Sequence, residues 1–159
     1  MLKSCDLNYY DICVSKKESE IMSKPTVNDM MIAYAQDAVD FAQLKFGITL
    51  DYSNESIKDI ENIAQILFEQ LPKGFLAKIF KKGPSENYVH TMCKMLGGYI
   101  GEVYLKNKSG EWAINEQYQA IAIRCGDSWI FPPAKVYKRL TNGSEDNLWH
   151  YFFILINEE

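Results

Sequence analysis

The chain has 159 residues, a length that favours one compact unit with a single core over two poorly buried halves. Its 47% hydrophobic and 24% charged residues place it in the globular class and exclude an intrinsically disordered chain. The formal net charge of −4 disfavours nonspecific binding to nucleic acid or to an anionic membrane, because affinity for phosphate comes mostly from Lys and Arg.

Residues 1–24 show no sustained period and run into Met22-Ser23-Lys24-Pro25, so they read as a weakly structured N-terminal arm ahead of a single α+β domain over residues 25–159. From Asn28 the pattern turns helical. Val27, Met31, Tyr34, Ala38 and Phe41 recur at helix spacing, Met30 and Ala42 widen the stripe, and Gly47 supplies the stop. Leu50 to Ser53 reads as a short extended link, with Ser53 placed to cap a second helix that turns Ile57, Ile60, Ala64, Leu67 and Leu71 inward. Pro72 and Gly74 end it, and a basic connector over residues 72–84 follows, with room for one helical turn around Phe75 to Phe80.

The third helix, about Glu86 to Lys106, is apolar over close to half its circumference, through residues such as Met92, Leu96, Tyr99, Ile100 and Val103, and so belongs in the middle of the fold. It also carries Gly97, Gly98 and Gly101, each of which costs up to about 1 kcal/mol relative to alanine inside a helix. Gly97 and Gly101 lie one turn apart and predict a groove into which a neighbouring element fits closely.

After Ser109-Gly110 the period shifts to two. Short strands are expected around Trp112 to Ile114, from Tyr118 to Arg124 and from Ser128 to Phe131, with a turn at Gly126-Asp127, giving an antiparallel three-stranded meander. Pro132 and Pro133 open a helix at Ala134 that ends at Asn142-Gly143 and buries Val136, Tyr137 and Leu140. Residues 145–157 fit a buried strand or a helix, and Ser144 followed by Glu145 and Asp146 favours the helix. The fold class is therefore α+β, with helices packed on a small meander.

No apolar run reaches the roughly 18 residues of a membrane-spanning helix, and Asp6, Asp11, Lys16 and Lys17 break up the first 20 residues, so there is no apolar stretch of the kind an export signal needs. A cytoplasmic location with reduced thiols at Cys5, Cys13, Cys93 and Cys125 is expected. The cysteines lack the spacing of zinc-ligand pairs, and His90 with Cys93 has no second pair to complete a site. No metal or cofactor is expected, since phosphate-binding glycine loops and nucleophile elbows are missing from the sequence.

Glu102, beside the glycine groove, is the best candidate for a general acid, with Trp112 and Asp127 near the groove's mouth. The plainer reading is a carboxylate that accepts hydrogen bonds from backbone or from a Trp indole. His150 lacks a nucleophile specified by sequence. Lys135, Lys138 and Arg139 give the fourth helix a basic side of the kind that is usually solvated. Acidic residues recur on the helices, at Asp37 and Asp40 on the first and at Glu55, Asp59 and Glu69 on the second, and they are the expected contact residues for a basic protein partner.

The segments Leu50 through Ser56, Leu96-Gly97-Gly98-Tyr99-Ile100-Gly101-Glu102-Val103, Gly110-Glu111-Trp112, and Phe131-Pro132 with Val136 to Leu140 resemble a family of small bacterial domains of unknown function. The Leu-Gly-x-Tyr-x-Gly-Glu helix is the most specific part of that resemblance. It implies a small bacterial protein and carries over no catalytic residues. In size and acidity the chain is also similar to immunity proteins, which neutralise toxins by direct binding. The expectation is a non-enzymatic protein-binding domain whose partner is a basic toxin domain, with a small enzyme centred on Glu102, or an adaptor subunit of a larger complex, as the alternatives.

Overall fold

A computed structural model describes residues 24–71 and 84–158. The expected arm, apart from Lys24, and the connector, apart from Pro84, lie outside them. The described residues form helices α1 (Val27–Phe46), α2 (Ser56–Gln70) and α3 (Pro84–Asn107), strands β1 (Glu111–Asn115), β2 (Ala120–Cys125) and β3 (Ser128–Ile130), helix α4 (Pro132–Asn142), a short 3-10 turn at Ser144–Asp146 and helix α5 (Leu148–Asn157). The fold class is α+β, and the strands make an antiparallel meander in the order β1-β2-β3.

Local signals fix the ends of α1. Thr26 and Asp29 form a reciprocal capping box, Thr26 N–H donating to Asp29 Oδ2 at 2.8 Å and Asp29 N–H to Thr26 Oγ1 at 3.1 Å. At the other end Gly47, with φ of 66°, turns the chain so that its own N–H and that of Ile48 satisfy the carbonyls of Gln43 and Ala42. The buried face of α1 is Met31, Ala35, Ala38 and Ala42, a row of mostly small side chains that brings its backbone close to α3. Met30, expected on that stripe, is 38% exposed.

Helix α3 is the centre of the core, with Leu96, Tyr99, Ile100 and Val103 fully buried. Each of its three glycines accommodates a different neighbour. A Cβ on Gly98 would sit 3.0 Å from Met31 O on α1, and one on Gly97 would sit 2.6 Å from Pro133 Cα and N at the start of α4. On Gly101 it would overlap the Trp112 indole and approach Ile123 Cδ1 at 3.0 Å. Trp112 and Ile123 are direct cross-strand partners of β1 and β2, so this pair lays the sheet against α3. The glycine face is a packing surface, and side chains and backbone fill the space over Gly97 and Gly101.

The structure departs from the sequence reading at several places. Strand β2 starts at Ala120, because Asn115 Oδ1 captures the Tyr118 amide at 3.1 Å and Gln119 takes φ of 48°, which makes Tyr118 and Gln119 part of the β1–β2 turn. Residues 144–146 form the 3-10 turn, and the cap of α5 is Asn147, whose Oδ1 accepts from His150 N–H at 2.8 Å. The link Leu50 to Ser53 is not uniformly extended, since Tyr52 has φ of 59°. No helix among the described residues is long and apolar enough to cross a membrane.

Candidate functional site around Tyr52

Tyr52 joins α1 to α2, and its left-handed backbone is uncommon for a bulky residue with no glycine-like freedom. A chain of hydrogen bonds holds it there. Tyr52 N–H donates to Tyr99 Oη at 2.7 Å, Tyr99 Oη and Ser56 Oγ share a hydrogen bond at 2.7 Å, and Ser56 Oγ donates to Ser53 O at 2.6 Å. With Ser56 donating onward, the Tyr99 hydroxyl donates to Ser56, and all the bonds run in one direction and reinforce each other. The two phenol rings stack with centroids 4.7 Å apart, and Lys106 Nζ lies 4.6 Å from the centre of the Tyr52 ring. Tyr99 is fully buried, whereas Tyr52 keeps one part of its ring at the surface.

Carboxylates from several elements act on this pair. Burial raises the Tyr52 hydroxyl above its ordinary range, and the negative charges of Glu102 on α3 and Asp40 on α1 raise it further. Burial also raises Tyr99, with Asp51 and Asp59 acting in the same direction against the hydrogen bond from the Tyr52 amide. Asp51 itself is held below the usual carboxylate range by the hydrogen bonds it accepts at Ser53.

Asp40 acts on the Tyr52 hydroxyl and Asp59 on the Tyr99 hydroxyl, each from its own helix. Asp37 is exposed on α1. Glu55 is exposed and pairs with Lys58, whose Nζ lies 4.7 Å from the centre of the Trp149 ring, and Glu69 takes a hydrogen bond from the Gln65 amide. Glu69 lies ten residues beyond Asp59, about 15 Å along the helix.

Glu102 Oε1 accepts a 2.7 Å hydrogen bond from Trp112 Nε1. This bond satisfies the indole where it packs on Gly101 and fixes the carboxylate's direction. Asp127 sits exposed in the β2–β3 turn, and no hydrogen bond or ion pair among the described residues connects it to Glu102. No family model, curated protein or solved structure matches the chain.

Two further candidates resolve into structural roles. Among the described residues no group of three or more His, Cys, Asp or Glu side chains could hold a metal ion. Cys93 is buried and His90 exposed, and burial pushes the Cys93 thiol up to about 12, which keeps it protonated and a poor nucleophile.

Arg139 was expected on a solvated basic side of α4, but it is fully buried. Its guanidinium meets Glu61 Oε1 at 2.8 Å through one terminal nitrogen and at 2.9 Å through Nε, also bonds Gln65, and sits 5.8 Å from the Phe68 ring centre. Glu61 Oε2 in turn accepts from Leu148 N–H at 2.8 Å. One carboxylate thus ties α2 to both α4 and the first turn of α5. Sequence reasoning missed this pair and Tyr52. The one available signal for Arg139 was its place one turn after Lys135 and three residues after Val136, beside the apolar stripe.

Proposed function

We propose that the chain is a non-enzymatic protein-binding domain that grips a basic partner through the surface around Tyr52, acting as an immunity protein that neutralises a toxin by covering it. The observation that carries this reading is the fixed Tyr52 ring stacked on Tyr99, with the charges of Asp40 and Glu102 acting on Tyr52 and those of Asp51 and Asp59 on Tyr99. An aromatic held by a strained backbone and a stacking partner loses little freedom on binding, and such residues dominate interface energetics. The surrounding negative charge speeds encounter with a basic surface and excludes acidic ones. The hydrogen bond from the Trp112 indole to Glu102 Oε1 gives this carboxylate a structural role in seating the sheet on α3, which accounts for its position without catalysis.

The test is affinity capture from the native cell, then titration calorimetry of the recovered protein against wild type, Asp40→Lys with Asp59→Lys, and Tyr52→Ala. The reading expects stoichiometric binding that weakens with salt and falls at least about tenfold in each variant. Equal affinities across the three proteins would remove this surface from the proposal. Turnover of a small molecule abolished by Glu102→Gln would replace binding with catalysis.

A further inference from the structure

Trp112 and Ile123 pack over Gly101, and the next pair on that face of the sheet is Ile114 with Ile121. This second pair is only partly covered. Ile114 is 52% exposed, and Ile121 lines an open cleft of about 320 Å³ between β2, the first half of α3 and the start of α4. Gly97 lets Pro133 touch the α3 backbone, but one turn earlier the α3 residue is Cys93, whose side chain forms the buried end of the cleft. Pro133 and Tyr137 complete walls that are mostly apolar.

The mouth of this cleft is cationic, although the chain carries a net charge of −4. Lys94 lines it with the exposed His90 beside it, and no carboxylate does. Lys94 Nζ lies 5.6 Å from the centre of the Tyr34 ring on α1 and has no ion-pair partner among the described residues. An occupant with apolar side chains around a single carboxylate matches both the walls and the charge.

We infer that the cleft receives the chain's own N-terminal arm through residues 7–14, with Asp11 set against Lys94 and the apolar side chains beside it filling the space over Cys93 and Ile121. Those residues carry Leu7, Tyr9, Tyr10, Ile12 and Val14 around one charge, the carboxylate of Asp11. The arm also reaches. Tyr34, which touches Lys94, lies about 10 Å along α1 from its start at Val27, and residues 15–23 span up to about 30 Å when extended. The connector over residues 72–84 is apolar in part but brings Lys73, Lys78, Lys81 and Lys82, which set like charge against Lys94. A second copy's arm has the right chemistry, but a tethered segment meets the cleft at an effective concentration on the order of millimolar and excludes it from dilute solution. The cleft shares no residue with the surface around Tyr52, so this assignment stands apart from the proposed function.

The test uses the full chain with the photoreactive benzoylphenylalanine in place of Tyr10, irradiated as an equal mixture of isotopically light and heavy protein. Cross-linked peptides are then mapped by mass spectrometry. Links within one chain, from residue 10 to peptides holding residues 90–94, 119–121 or 133–137, are expected. Their yield should fall about twofold or more in Lys94→Glu and in Asp11→Lys, and return when the two changes are combined. Circular dichroism of each variant separates loss of fold from loss of docking, and the combined variant recovers only if the two charges meet. Any of four results overturns the inference: no link to those three regions, an unchanged yield in either charge variant, a combined variant no better than the single ones, or mixed light–heavy links at the same peptides, which would assign the cleft to a second copy.

Discussion

Arg139 and Glu61 form an ion pair whose side chains are 1% and 14% exposed, joining helices that lie 78 residues apart in the chain. Removing the cation strands a carboxylate in a site that water barely reaches. Arg139→Ala should therefore lower stability by about 3–5 kcal/mol. Replacing both partners, as Arg139→Met with Glu61→Leu, should recover part of that loss, because no buried charge remains and the groups left without a partner are the Leu148 amide and the half-buried Gln65 carbonyl, at about 1–3 kcal/mol each. Denaturant titration of the single and double variants measures both. A double variant no more stable than Arg139→Ala would show that the loss comes from packing.

The glycines of α3 should differ in how they fail. Gly101→Ala is obstructed by the Trp112 side chain, so it should cost about 1–3 kcal/mol and be partly rescued by Trp112→Leu. Gly97→Ala meets the backbone of Pro133, and no side-chain replacement makes room. Thermal melts of the singles and of the Gly101→Ala, Trp112→Leu pair decide it. A Gly101→Ala protein with unchanged melting would mean that the indole moves freely.

Acid should weaken the join between α4 and α5. The hydrogen bond from Lys135, and then the one from Asn142, hold the Asp146 carboxyl below its usual value of 3.8. A carboxyl depressed by folding contributes stability that is fully present above its unfolded value and lost as pH falls through the folded one. Wild type should therefore lose this contribution below pH 3.8, and Asp146→Asn should melt lower at neutral pH with a shallower fall in that window. Melting curves across the acid range test it, and parallel curves for the two proteins would contradict it.

Burial that lifts the Cys93 thiol to about 12 should make it inert in the folded chain. Iodoacetamide at mildly alkaline pH should leave Cys93 unmodified in native protein and label it in denaturant, as read by peptide mass mapping. Rapid native labelling would mean that α3 opens near its start.

Most of the helices and the meander were legible because they follow from local chemistry. Gly47 ends α1, the paired prolines open α4, Asn142-Gly143 closes it, and the shift of period after Gly110 announces the strands. The close contacts of Gly97 and Gly101 were legible as contacts, since a glycine inside an apolar helix needs a compensating neighbour, but the identity of that neighbour depends on the fold. Arg139 was illegible because a charge on a short helix reads as solvated until its partner is known, and Glu61 sits 78 positions earlier. Tyr52 was illegible because its left-handed backbone is imposed by Tyr99 and Ser56, and no turn-forming residue marks the spot. The acidic residues were visible one by one; that Asp40 acts on Tyr52 and Asp59 on Tyr99 is a property of the packing.

Because α3 touches α1 along Gly98, α4 along Gly97 and the sheet along Gly101, no neighbouring layer can be lifted away without wetting the same buried helix. The glycines that weaken α3 as an isolated segment thus make it the shared wall of three interfaces, and its order is borrowed from all of them. Opening should accordingly be concerted: the amides from Leu96 to Val103 exchange with solvent only when the whole described fold comes apart, with a protection that equals the free energy of global unfolding.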